Sequence, residues 1–176
     1  MLRKKIVIFS ALILSLGFSF SNLTFADTEI SSEKLEGIEM DCQSIKSSLK
    51  RIQNIDKNTR ISIGRSYQTI LTNFITPLNV RLVKNNKYNN ELASIQNRFV
   101  EARDKFNRDY ISYSQEFETL LSIDCKNESM NFYNQLEKTR GKRSEVAASA
   151  KKIREIITEH TNEVEKLKNT FEAKNE

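Results

Sequence analysis

Apolar side chains recur every three or four positions along almost the whole chain, the spacing of one buried face on an α-helix. Leu35, Ile38, Cys42, Ile45, Leu49 and Ile52 mark the first stripe, which resumes with Ile61, Gly64, Gln68, Leu71, Phe74 or Ile75, Leu78 and Leu82. A second stripe runs Leu92, Ile95, Phe99, Ala102, Phe106, Tyr110, Tyr113, Phe117, Leu120. The last takes Tyr133, Leu136, Val146, Ala150, Ile153, Ile157, Val164, Leu167 and Phe171, at a mean step of about 3.5 residues, a coiled-coil period diluted by Arg140, Arg143 and His160. Ser31 or Ser32 is placed to cap the first helix, and Asn127 or Ser129 the last.

Two stretches break the pattern clearly: "VKNNKYNN" at 83–90 and "SIDCKNES" at 122–129. "NIDKNT" at 54–59 is a weaker candidate, because Asp56 and Asn58 favour caps over helix interiors. Pro77 removes one ladder donor and predicts a bend, and Gly64 on the inner face suggests close helix approach. The pattern predicts an all-α fold, an elongated up-down-up three-helix bundle with a kinked first helix. A four-helix bundle is the alternative, with a full reversal at 54–59. The cysteines favour three helices. Cys42 lies 42 residues before position 84, and Cys125 lies 37 residues after position 88. At 1.5 Å per residue the two arms differ by only about 7 Å, which a bulge at 54–59 and the bend at Pro77 can absorb. A Cys42–Cys125 disulfide, which needs Cα atoms within about 7 Å, would then staple the open end of a helical hairpin.

The N-terminus assigns the compartment. Arg3, Lys4 and Lys5 precede the apolar run 6–20, and Thr24 and Ala26 suit the −3 and −1 positions of a cleavage site. This is the layout of a secretory signal over residues 1–26, leaving 27–176 as a single helical domain. The alternative is an uncleaved membrane anchor, although the run is short of the roughly 20 residues a span needs. Two cysteines in an exported chain point to a disulfide rather than a metal site. Removing the signal lowers the net charge from +5 to +2, with 25 basic against 23 acidic residues. The basic balance therefore belongs largely to the signal, and nucleic acid is not expected as a partner.

No motif carries catalytic chemistry, so a non-enzyme without cofactor or metal is expected. His160 is the sole histidine and sits on the apolar stripe beside Glu155, Glu159 and Glu163. A di-iron bundle uses two Glu-x-x-His motifs, whereas Ile157 stands three before His160. The aromatic row Phe99, Phe106, Tyr110, Tyr113 and Phe117 reads as core. "NES" at 127–129 matches a glycosylation sequon, relevant only in a eukaryotic secretory pathway.

Charge distribution is more informative. Residues 27–41 carry net −5, residues 138–154 net +6 and residues 155–165 net −4. Lys138, Arg140, Lys142, Arg143, Lys151, Lys152 and Arg154 form a candidate patch for an anionic partner, a protein or an envelope polymer. They do not share one narrow face, so contact would be broad.

"NTRISIGRSYQTILTNFITPLNVRL" (58–82) and "IDCKNESMNFYNQLEKTRGKR" (123–143) resemble small exported helical proteins of candidate-phylum bacteria. The resemblance implies export and supplies no activity and no functional residue. The expectation is an exported protein, periplasmic, cell-surface or secreted, that binds or scaffolds at the cell envelope. A holdase-like periplasmic chaperone is the second reading, and a metal-binding protein or enzyme the third.

Overall fold

A stripe that returns every three or four residues has to be buried against another stripe, and long helices do this with few turns. The computed structural model describes residues 31–173; the expected signal segment 1–26 and the expected cleavage before Asp27 lie outside them. The described residues contain no strand. Five α-helices follow in order: α1 (Ser32–Met40), α2 (Cys42–Ile70), α3 (Thr76–Lys84), α4 (Asn90–Ser122) and α5 (Ser129–Glu172). A π-helical turn, Leu71–Ile75, joins α2 to α3 with no loop between them.

The region 54–59 neither turns nor bulges: it lies inside α2. The expected weakness there is corrected by tertiary contacts. The Asp56 carboxylate accepts hydrogen bonds from Tyr113 and Arg143, so it does not compete with its own backbone. The irregularities fall elsewhere. Asp41 separates α1 from α2. At the second, Pro77 lacks an N–H and its ring crowds the carbonyl four residues back. The backbone widens just before it, and the Thr76 N–H donates to Leu71 O, five residues earlier.

The turn after α3 is closed by a pair of backbone bonds. Lys87 N–H donates to Leu82 O at 2.8 Å and Asn86 N–H to Val83 O at 3.1 Å. Asn86 takes φ 55°, a left-handed conformation that asparagine tolerates. Asn89 then caps α4, its side chain accepting from Leu92 N–H at 2.9 Å. The start of α5 differs from expectation. Glu128 holds the capping position without a side-chain bond. Asn127 instead donates to Asp124, and Ser129 donates to Glu39 at 2.6 Å. Both candidate caps are drawn into other contacts. Ser31 stands at the capping position of α1, also without a side-chain bond.

α4 and α5 share the most extensive interface, with α1 against α5 and both α2 and α3 against α4. The core forms two clusters. One gathers Tyr67, Leu71, Ile75, Leu92, Ile95, Phe99, Phe106, Ile153 and Ile156. The other gathers Leu49, Tyr113, Phe117, Leu120, Cys125 and Phe132. Of the aromatic row expected in the core, Phe99, Phe106, Tyr113 and Phe117 are buried, whereas Tyr110 is only partly so. Cys42 and Cys125 form a disulfide with Cα atoms 5.5 Å apart, across a sequence separation of 83.

Gly64 does not serve close approach: a Cβ built there, or at Gly141, meets no atom within 4 Å. Both are helical glycines with open space beside them. Gly64→Ala and Gly141→Ala should each raise stability by about 0.4–1 kcal/mol by lowering the entropy of the unfolded chain. Urea unfolding measures this; a lower midpoint for either variant would contradict the open environment.

Candidate functional site

The first helical stripe loses its apolar character between Ile52 and Ile63, where Asp56, Thr59 and Arg60 occupy the positions that would continue it. Polar side chains on an inward face cannot close a gap as aliphatic ones do. A groove of about 460 Å³ opens there, between α2, α4 and α5. It lies where the two core clusters meet: Phe106 and Ala150 come from one, Tyr113 from the other, and Val146 packs against both.

Asp56 organises the polar side of this groove. It accepts from the Tyr113 hydroxyl at 2.6 Å and from two guanidinium nitrogens of Arg143 at 2.8 and 2.9 Å. Three helices thus meet at one carboxylate. Burial pushes the Tyr113 hydroxyl well above the ordinary tyrosine pKa, and its bond to Asp56 adds to the shift. Tyr110 is also raised, chiefly by burial, with the nearby Arg60 opposing. One turn beyond Asp56, Arg60 lies over the Tyr110 ring, 5.3 Å from its centroid, and donates to Asn107 Oδ1 at 3.3 Å. The Arg60 Nε is buried and has no hydrogen-bond partner.

The basic stretch of α5 is largely paired. Lys138 meets Glu116, Arg140 meets Glu137, Lys142 meets Glu145 and Arg143 meets Asp56. Lys151 and Lys152 both lie near Glu155, at 4.0 and 3.8 Å. Arg154 sits beside the Tyr67 hydroxyl. Arg140 and Arg143 also line the groove, whereas Lys138, Lys142, Lys151, Lys152 and Arg154 do not. Sequence reasoning brought out the cations without their partners, although Glu137, Glu145 and Glu155 lie only three or four positions away; Glu116 and Asp56 are the distant ones.

The carboxylates near His160 are engaged. Glu159 pairs with Arg98, and Glu163 pairs with Lys166 and accepts from Asn89. Burial lowers the pKa of His160, whose Nε2 is buried without a partner. Among the described residues no group of three or more His, Cys, Asp or Glu is placed to hold a metal ion.

Asp109 is a second partly buried carboxylate contact between helices. Burial opposes its charge, but hydrogen bonds from Lys105 and Ser149 outweigh that and hold its pKa below the usual range. Comparison with protein-family models, with curated proteins and with solved structures finds no match.

Sequence reasoning read Tyr110 and Tyr113 as core and passed over Asp56 and Arg60 as site residues. The available signal was the apolar stripe itself, broken by an acid and a base four apart. Asp56→Ala would strand the buried Tyr113 hydroxyl, while the exposed guanidinium of Arg143 regains water. The expected loss is about 1–2 kcal/mol, since leaving a buried donor unpaired dominates and an exposed ion pair contributes little. Tyr113→Phe in the same background should recover part of it by removing the stranded hydroxyl. Denaturant unfolding of the single and double variants checks this. Equal stability of wild type and Asp56→Ala would remove Asp56 from its place at the junction.

Proposed function

We propose that the chain is exported and acts without catalysis, binding or scaffolding at the cell envelope. In this reading residues 1–26 are a cleaved signal, and the remainder works as an up-down-up three-helix rod with coiled-coil character, bent near Pro77. The observation that carries it is the Cys42–Cys125 disulfide. Structural disulfides persist in oxidising compartments, which agrees with the basic and apolar N-terminus. Among the described residues no helix is long and apolar enough to cross a membrane. An uncleaved segment 1–26 would therefore be what tethers the rod.

The binding half of the reading rests on shape and charge. A rod presents long side faces on which partners can dock. Lys151, Lys152 and Arg140 remain well exposed despite their ion pairs, and surface pairs of this kind exchange readily for an external anion. The partner is a protein or an anionic envelope polymer, engaged broadly along α5.

Export and binding are tested separately. N-terminal sequencing of protein from the exported fraction should begin at or near Asp27, and non-reducing peptide mapping should link the Cys42 and Cys125 peptides. A product that retains Met1 would make the protein a tethered rod, and free thiols would reject the oxidising compartment. Replacing Arg140, Lys151 and Lys152 with Gln should weaken association with envelope fractions while leaving helicity unchanged. Association of the native chain should also fall steeply with salt, as the screening length drops from about 10 Å at 0.1 M to about 3 Å at 1 M. Undiminished association of the variant at low salt would dismiss the basic stretch as a contact.

A further inference from the structure

The geometry points to the groove between Asp56, Arg60 and Ala150 as a binding site for a small amphipathic carboxylate, its acid group on Arg60 and its apolar body against Ile63, Phe106, Val146 and Ala150. The inference rests on the binding half of the reading above and names a ligand class for it.

Volume and lining come first. About 460 Å³ falls within the range of small-molecule sites, which are mostly apolar with a few convergent polar groups. One wall is apolar, supplied by Ile63 of α2, Phe106 of α4, and Val146, Ala147 and Ala150 of α5. The charged groups of the lining are Asp56, Arg60, Arg140 and Arg143, accompanied by the hydroxyl residues Thr59 and Ser144.

Charge accounting selects the ligand's sign. The one carboxylate in the lining, Asp56, already accepts from Tyr113 and twice from Arg143. Arg140 is paired with Glu137. Arg60 differs from both. Its contacts are a neutral amide, Asn107, and the face of Tyr110, and no carboxylate among the described residues forms an ion pair with it. Its Nε is buried without a partner. That N–H is enclosed, so the terminal nitrogens are what Arg60 can offer a ligand, and Asn107 Oδ1 is their hydrogen-bond partner. A guanidinium without a carboxylate partner, beside one carboxylate already engaged by three donors, favours an anion over a cation.

The geometry of the donor narrows the class. The two terminal nitrogens of one guanidinium form a fork that matches the two oxygens of a single carboxylate. One unneutralised charge balances a monoanion. Ile63, Phe106, Val146, Ala147 and Ala150 supply the apolar surface against which a chain or ring would lie.

Decanoate is a direct probe, used below its micelle concentration on the full chain. Calorimetry gives the affinity, and the Arg60 guanidinium resonance of labelled protein reports whether the ligand reaches that side chain. Decanoate should bind and move that resonance. Decanol, which lacks the charge, and acetate, which lacks the apolar body, should each bind at least about tenfold more weakly. Arg60→Gln should weaken decanoate at least about tenfold. Ala147→Phe, which keeps Arg60 but fills the groove, should do the same and so covers the case in which Arg60→Gln loses helicity. No binding to the native chain, equal binding by decanol, or unchanged binding in Ala147→Phe would overturn the site. Binding confined to residues 1–30 would be unaltered by both variants and would overturn it too. Failure here leaves the export and disulfide readings standing, and a chain that is not exported leaves the groove measurement intact.

Discussion

The covalent bond between Cys42 and Cys125 is the constraint on which the other contacts depend. It ties the first residue of α2 to the turn between α4 and α5. The buried side chains of the described helices divide into two groups rather than one broad core. With α4 and α5 packed on each other most extensively, the helical run before them needs an independent anchor. The disulfide supplies it at one end, inside a cluster that also buries Leu120 and Phe132. At the other end the anchor is Ile75 and Leu82 against Leu92 and Ile95. In the chain-entropy account, closing a loop of this size restricts the unfolded chain by about 4 kcal/mol. That is a large part of the 5–15 kcal/mol typical of a folded domain.

Between the two anchors the packing is polar, and this follows from the first constraint. Once both ends are held, the middle of α2 does not have to supply a continuous apolar face. Asp56 takes that place and binds α4 through Tyr113 and α5 through Arg143. A carboxylate sharing donors from two other helices fixes register, because a slip of one helix by a single turn would leave those donors unpaired. The groove is the other consequence. Polar residues on an inward stripe leave space, and Arg60, whose contacts are Asn107 and the Tyr110 ring, lines it.

The sequence made the helical character legible because burial on one face imposes a period, and the disulfide legible because two arms of nearly equal length meet at the turn 85–89. Polar, left-handed-tolerant residues made that turn visible as well: Asn86 and Asn89 each do what asparagine does best. Other features depended on contacts far along the chain. Asp56 looked like a helix breaker because its partners, Tyr113 and Arg143, lie 57 and 87 positions away. Ser129 looked like a cap, but Glu39, 90 positions away, claims its hydroxyl. Gly64 looked like a packing device because its stripe position was visible and the empty space beside it was not. The π-helical turn before Pro77 was not legible either, because a missing donor shows in the sequence and the local response of the backbone to it does not.

The most direct test of the disulfide's central role is unfolding of the chain with Cys42 and Cys125 both replaced by Ser, followed by amide hydrogen exchange. Stability should fall by about 2–4 kcal/mol. Protection should be lost first over α1 and the start of α2, while the buried segments of α4 and α5 keep theirs. Unchanged stability, or a uniform loss of protection across all helices, would contradict the account and place the anchor of the first helices elsewhere.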